Sequence, residues 1–191
     1  MQHLLIKNIS ELKKYKEQKR IIKKNKLNII NKIKNKKNKQ QTILGEILLI
    51  EGLKEFYNID YQNIDVTYNK NGKPYILNSN IYYNISHSND YVVCIFSNKE
   101  IGIDIEKIIK PNDNIIKNIL TEEEQNYSKT NLNFFEIFTL KEAYIKCLGN
   151  KIFDFKNIEL VFNNKPICKD TSVKSKQLII DNYIISIVEK R

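Results

Sequence analysis

The chain has no tryptophan, three cysteines, three prolines and five glycines in 191 residues. No stretch of about 18 apolar residues occurs, so no membrane span is expected. The opening MQHLLIKNIS has too short an apolar run for a signal peptide and no small-residue cleavage site. Cys94, Cys147 and Cys168 are odd in number and far apart, which argues against a disulfide framework and against a CxxC metal site. Reduced thiols in a cytoplasmic protein are the expectation. No internal sequence repeat is evident.

What is present is a folded chain, 41% hydrophobic with 11 Tyr and 8 Phe. Its net charge of +10 is unevenly placed. Residues 1–40 hold 14 of the 32 basic side chains and only Glu11 and Glu17 as acids, so the whole excess lies there. The core of that segment, KRIIKKNKLNIINKIKNKKNK, reads either as Lys- and Asn-rich surface helix or as a patch attracting phosphates or an acidic partner. No aromatics interleave with the lysines and no binding motif is present, so nucleic acid is not the expected partner.

Apolar spacing predicts helices over residues 10–58: two basic ones, then TILGEILLIEGLKEFYN with Ile43, Leu44, Ile47, Leu48, Leu53, Phe56 and Tyr57 on its core face. NKNGKP at 69–74 is a turn. Strand-like runs follow at 81–86, 91–97 and 100–106, with turns at His87–Asp90 and Asn98–Lys99 that suggest an antiparallel meander. Thr121 and Glu124 form a capping box for one helix, and a second helix runs through NFFEIFTLKEAYIKCLG to Gly149. Strands are expected at 157–162 and 177–188, with Ile179, Tyr183, Ile185 and Ile187 in the core. Helices then strands, twice over, is an α+β pattern in two halves.

Three stretches carry chemistry. In KEIGIDIEKI (99–108), side chains alternate faces, so Ile101, Ile103 and Ile105 point to a core while Asp104 and Glu106 share the other face. Their Cα atoms lie about 6–7 Å apart, close enough for two carboxylates to serve one cation, and oxygen-only donors suit Mg²⁺. Gly102, on that face, leaves room for a ligand at the backbone. The plainer alternative is a solvated face of an edge strand. In KEAYIK (141–146), Glu142 and Lys146 are neighbours on one helix face, either as an ordinary ion pair or as partners for that cation on a largely buried helix. In NISHSND, Ser86, His87 and Ser88 can present donors to a phosphate, as Lys73 of GKP can. Nothing marks a nucleophile elbow, so a Ser–His–Asp triad is a weak reading.

GKP with SHS, then G-x-D-x-E, then F-x-x-K-E-A-x-x-K, in that order across residues 73–149, resembles the 4'-phosphopantetheinyl transferases, in particular the surfactin-synthetase-activating type. TILGEILL (42–49) is similar to the helix that precedes these motifs in the family. The resemblance implies a monomer of two similar α/β halves, here 1–98 with the basic helices and coenzyme A binding, and 99–191 with the metal and catalytic motifs. Each half would pack helices on a small, mainly antiparallel sheet, with the active site at the junction. It further implies an enzyme of the holo-acyl-carrier-protein synthase type, which moves 4'-phosphopantetheine from coenzyme A to a serine of an apo acyl or peptidyl carrier protein. The other product is adenosine 3',5'-bisphosphate. By motif match Asp104, Glu106 and Glu142 would hold Mg²⁺ (or Mn²⁺), Glu142 would be the base, and Lys146 would stabilise the diphosphate and leaving group. Lys26, Thr42, Lys73, Ser86, His87 and Lys141 would contact coenzyme A. Where the family often has His-Arg before the threonine, this chain has Gln40 and Gln41, so Lys39 or another lysine would have to take their place at the 3'-phosphate. Two rival readings are a basic nucleic-acid-associated protein and a relative that binds without transferring.

Overall fold

The computed structural model describes residues 1–149 and 155–191. Strand β1 (His3–Asn8) leads into helices α1 (Lys16–Ile21), α2 (Lys24–Asn31) and α3 (Lys36–Tyr57). A short hairpin, β2 (Val66–Tyr68) and β3 (Pro74–Ile76), precedes β4 (Tyr82–Ser88) and β5 (Tyr91–Ser97). Then come β6 (Ile101–Lys107), α4 (Asp113–Ile119), α5 (Glu122–Tyr127) and α6 (Asn131–Leu148). The chain ends with β7 (Leu160–Asn163), β8 (Lys165–Cys168), β9 (Val173–Ile180) and β10 (Tyr183–Lys190). Among the described residues no helix is long and apolar enough to cross a membrane.

Two three-stranded antiparallel sheets dominate, ordered β1-β5-β4 and β6-β10-β9. Each is built as a strand, a long helix and a hairpin whose last strand lies in the middle. The α+β architecture of two similar halves is therefore as expected, although the halves share backbone topology and no visible sequence repeat. Helix α3 covers the outer face of the first sheet, with Leu44, Leu48 and Phe96 in that core; α6 covers the second, with Leu140, Ala143 and Val188. A third core lies between the sheets, where Val93 and Ile95 meet Ile101, Ile103, Ile105, Ile185 and Ile187. Central strands are thus buried on both faces, which is why YVVCIFS and YIISIV are nearly continuous apolar runs rather than alternating ones.

Three expectations are corrected. Residues 100–106 do not continue a meander: both edges of β5 are already taken by β1 and β4, so β6 pairs with β10 instead. The run 177–188 is not one strand but a hairpin turning at Asp181, whose φ is +51°. Ile179 is 50% exposed, because it sits near the tip of that hairpin on edge strand β9, whereas Tyr183, Ile185 and Ile187 are buried. The capping box at Thr121/Glu124 and the left-handed stop at Gly149 are present.

Gly102 does not open space for a ligand. A Cβ there would lie 2.1 Å from the Ala143 carbonyl oxygen and 2.3 Å from the Cys147 nitrogen, both main-chain atoms of α6. The glycine lets α6 approach β6 closely, and that approach carries Glu142 and Lys146 to the strand. Gly102→Ala is expected to cost about 1–3 kcal/mol through overpacking, read as a lower thermal midpoint by calorimetry.

Candidate active site

Strand β4 of the first half runs beside β6 of the second without a main-chain ladder; side chains join them instead. Asn84 Oδ1 accepts from the Ile103 amide at 2.9 Å. Ser86 Oγ donates to Asp104 Oδ1 at 2.8 Å, and Ser88 Oγ donates to Glu106 Oε2 at 2.7 Å. From α6, one turn apart, come Glu142 and Lys146. The Lys146 ammonium reaches Asp104 Oδ1 at 2.6 Å and Ser86 Oγ at 3.0 Å. Ser86, His87, Asp104, Glu106, Glu142 and Lys146, with Ile85 and Phe138, line one cleft of about 290 Å³ at the junction of the halves.

The cleft is poorly balanced in charge. Three carboxylates face one ammonium, a deficit of two positive charges when all are ionised. Burial raises the pKa of Asp104 against the pull of Lys146. Burial also raises those of Glu106 and Glu142, and the neighbouring carboxylates push in the same direction. Burial lowers the pKa of His87, helped by Lys146. Asp104 is 4% exposed, and its Oδ2 is a buried oxygen with no hydrogen-bond partner among the described residues. Such an atom is costly unless something positive meets it. Three hard oxygen donors and an uncompensated double negative charge fit a divalent cation of the Mg²⁺ or Mn²⁺ type. No three His, Cys, Asp or Glu side chains among the described residues stand close enough to hold an ion as they are.

A stability signature follows from the raised pKa values. The folded chain holds these protons more tightly than the unfolded chain. Stability therefore falls as pH rises from the ordinary carboxylate range through the raised folded values, and the penalty is fully present above them. Glu142→Gln removes a charge whose burial cost outweighs the pull of Lys146, and it breaks no side-chain hydrogen bond seen among the described residues. In EDTA its thermal midpoint should exceed the parent's at pH 8, with the gain vanishing near pH 4, where the parent's Glu142 is already neutral. Scanning fluorimetry across pH checks this.

Other expected contacts lie outside the cleft. Lys141 is corrected: it is fully buried, its ammonium 2.5 Å from Glu124 Oε1 and donating to the Phe155 carbonyl at 2.8 Å. Lys73 donates to the Cys147 carbonyl at 2.6 Å, at the end of α6, and lines a separate cleft of about 510 Å³ with Tyr75, Tyr82 and Tyr83. Lys26 pairs with buried Glu46 at 2.8 Å, and Glu46 also accepts from the Tyr61 hydroxyl. Thr42 Oγ1 donates to the Asn38 carbonyl within α3. Gln41, 5% exposed, donates to the Asn89 carbonyl and so ties α3 to the turn after β4. Asn84 is not foreseen in the sequence at all, and Ser88, expected as a phosphate donor, is bonded to Glu106 instead. Their signal is the period-two polar series Asn84, Ser86, Ser88, which becomes visible once β4 is extended to Ser88.

Residues 10–100 match the family model described as 4'-phosphopantetheinyl transferase, N-terminal, and residues 100–188 match the 4'-phosphopantetheinyl transferase superfamily. The chain is 36% identical over 125 residues to the 4'-phosphopantetheinyl transferase gsp of Aneurinibacillus migulanus, covering 62% of this chain and 52% of that one. It is 30% identical over 122 residues to the 4'-phosphopantetheinyl transferase Sfp of Bacillus subtilis (strain 168), covering 60% and 54%. These alignments span about half the length of the relatives. A solved holo-[acyl-carrier-protein] synthase of Thermotoga maritima superposes with a TM-score of 0.40 at 24% identity, over 48% of this chain and 64% of that one. The two family models follow one another along the chain from residue 10 to residue 188, and the chain belongs to the 4'-phosphopantetheinyl transferase superfamily.

Proposed function

We propose that this chain transfers the 4'-phosphopantetheine group of coenzyme A to a serine hydroxyl of an apo acyl or peptidyl carrier protein. The observation that carries the reading is the junction cleft, where Asp104, Glu106, Glu142 and Lys146 meet Ser86 in a chain of this superfamily.

In the reaction the serine oxygen forms a bond to the β-phosphorus of coenzyme A, the one bearing pantetheine. The bond from that phosphorus to the bridging oxygen breaks, and adenosine 3',5'-bisphosphate leaves. Glu142, whose raised pKa makes it a better proton acceptor than an ordinary carboxylate, takes the serine proton. Lys146 neutralises the charge gathering on the leaving phosphate and stands ready to protonate it. His87, exposed at the edge of the cleft, would donate to the diphosphate oxygens, and Ser86 would do so by turning its hydroxyl from Asp104. Asp104, Glu106 and Glu142 would hold a Mg²⁺ ion, which supplies charge screening of the diphosphate. Both sides of the cleft come from one chain, which supports a monomer as the working unit.

The test is the intact mass of an apo carrier protein after incubation with this chain, coenzyme A and Mg²⁺. A gain of one phosphopantetheine, lost on addition of EDTA, supports the proposal. No gain on fatty-acid, polyketide and peptide-synthetase carriers, with coenzyme A still bound, would leave only a binding role.

A further inference from the structure

Ser88 ends β4 and is 8% exposed. Its hydroxyl makes two bonds to β6. Oγ accepts from the Lys107 amide at 3.2 Å and donates to Glu106 Oε2 at 2.7 Å. A serine hydroxyl has one hydrogen, and the Lys107 N–H is itself a donor. The single O–H is therefore committed to the carboxylate, and the hydroxyl cannot turn away without leaving the Lys107 amide unmet. Glu106 has no such constraint of its own: its long side chain stands at the end of a strand, half-buried. Ser86 differs, because its oxygen is shared between Asp104 and Lys146 and faces the cleft.

We propose that Ser88 is a positioning residue: from the first half of the chain, it fixes one oxygen of Glu106 so that the other is presented to the divalent cation in the cleft. The inference rests on the proposed metal role of Glu106. It makes cation affinity depend on the register between β4 and β6, and hence on the packing of the two halves. Side chains that orient metal ligands typically account for about 10- to 100-fold in affinity.

The measurement is Mn²⁺ binding to the full chain with saturating coenzyme A, read by the loss of the free-ion electron paramagnetic resonance signal. Ser88→Ala should weaken Mn²⁺ binding about 10-fold or more. Ser88→Thr, which keeps the hydroxyl and suits a strand, should restore it. The thermal midpoint in EDTA gauges any loss of fold separately. In a Glu106→Gln background, Ser88→Ala should have little further effect on Mn²⁺ affinity. Unchanged affinity in Ser88→Ala, equal weakening in the alanine and threonine variants, or full additivity with Glu106→Gln would each overturn the inference while the metal site itself stands. Mn²⁺ affinity indifferent to Glu106→Gln would overturn both the inference and the metal reading beneath it.

Discussion

Glu142→Gln is expected to lower phosphopantetheine transfer about 10²- to 10⁴-fold, the range ascribed to a positioned general base. The change keeps shape and one carbonyl oxygen but removes the carboxylate proposed to take up the serine proton. It also reduces the negative charge available to a cation. The loss cannot be put down to unfolding, because the same substitution removes a buried charge and is expected to raise the thermal midpoint at pH 8. A slower, more stable enzyme is the signature of a site whose charges are arranged for the reaction at the expense of the fold. The check is a time course of intact carrier mass at matched coenzyme A occupancy. A rate within threefold of the parent would remove Glu142 from the proton-transfer role and shift attention to a metal-bound water. Fast transfer by Glu142→Gln with no midpoint gain would show that the carboxylate does not face the cleft as described.

Much of this site is legible in the sequence because its elements are regular. Alternation in EIGIDIE places three isoleucines on one side and two carboxylates on the other, and the structure buries those isoleucines between the sheets. The four-residue step from Glu142 to Lys146 brings both to one helix face. What escaped depends on contacts between residues distant in the chain. The pairing of β6 with β10 spans about eighty residues and is decided by which strand edges remain open. The partner of Lys26 is Glu46, on a different helix, and nothing in KRIIKKNK hints at it. Gly102 looks like space for a ligand when only its strand is considered, yet α6 fills that space. The likeness of the halves shows in the order of elements but not as a repeat of residues, because strand, helix and hairpin can be built from very different residues.

Lys141 shows the same limit and carries the largest expected effect on stability. It stands beside Glu142 in the motif, but successive residues on a helix point about 100° apart, so both cannot face the cleft. The lysine turns to the far side of α6 and meets Glu124, which also closes the capping box of α5 through the Thr121 amide. Both partners are almost wholly buried. Lys141→Met fills similar volume but leaves the Glu124 carboxylate buried without its counter-ion, at a cost of about 3–5 kcal/mol. Against a typical total of about 5–15 kcal/mol, that brings the chain close to unfolding. Adding Glu124→Gln, which still accepts from Thr121, should return part of the loss, since the stranded charge is then gone. Urea denaturation of the parent, the two single variants and the double variant gives the coupling between the pair. Transfer by folded Lys141→Met should follow the folded fraction alone. If transfer falls further than that fraction while stability holds, Lys141 belongs to the cleft after all.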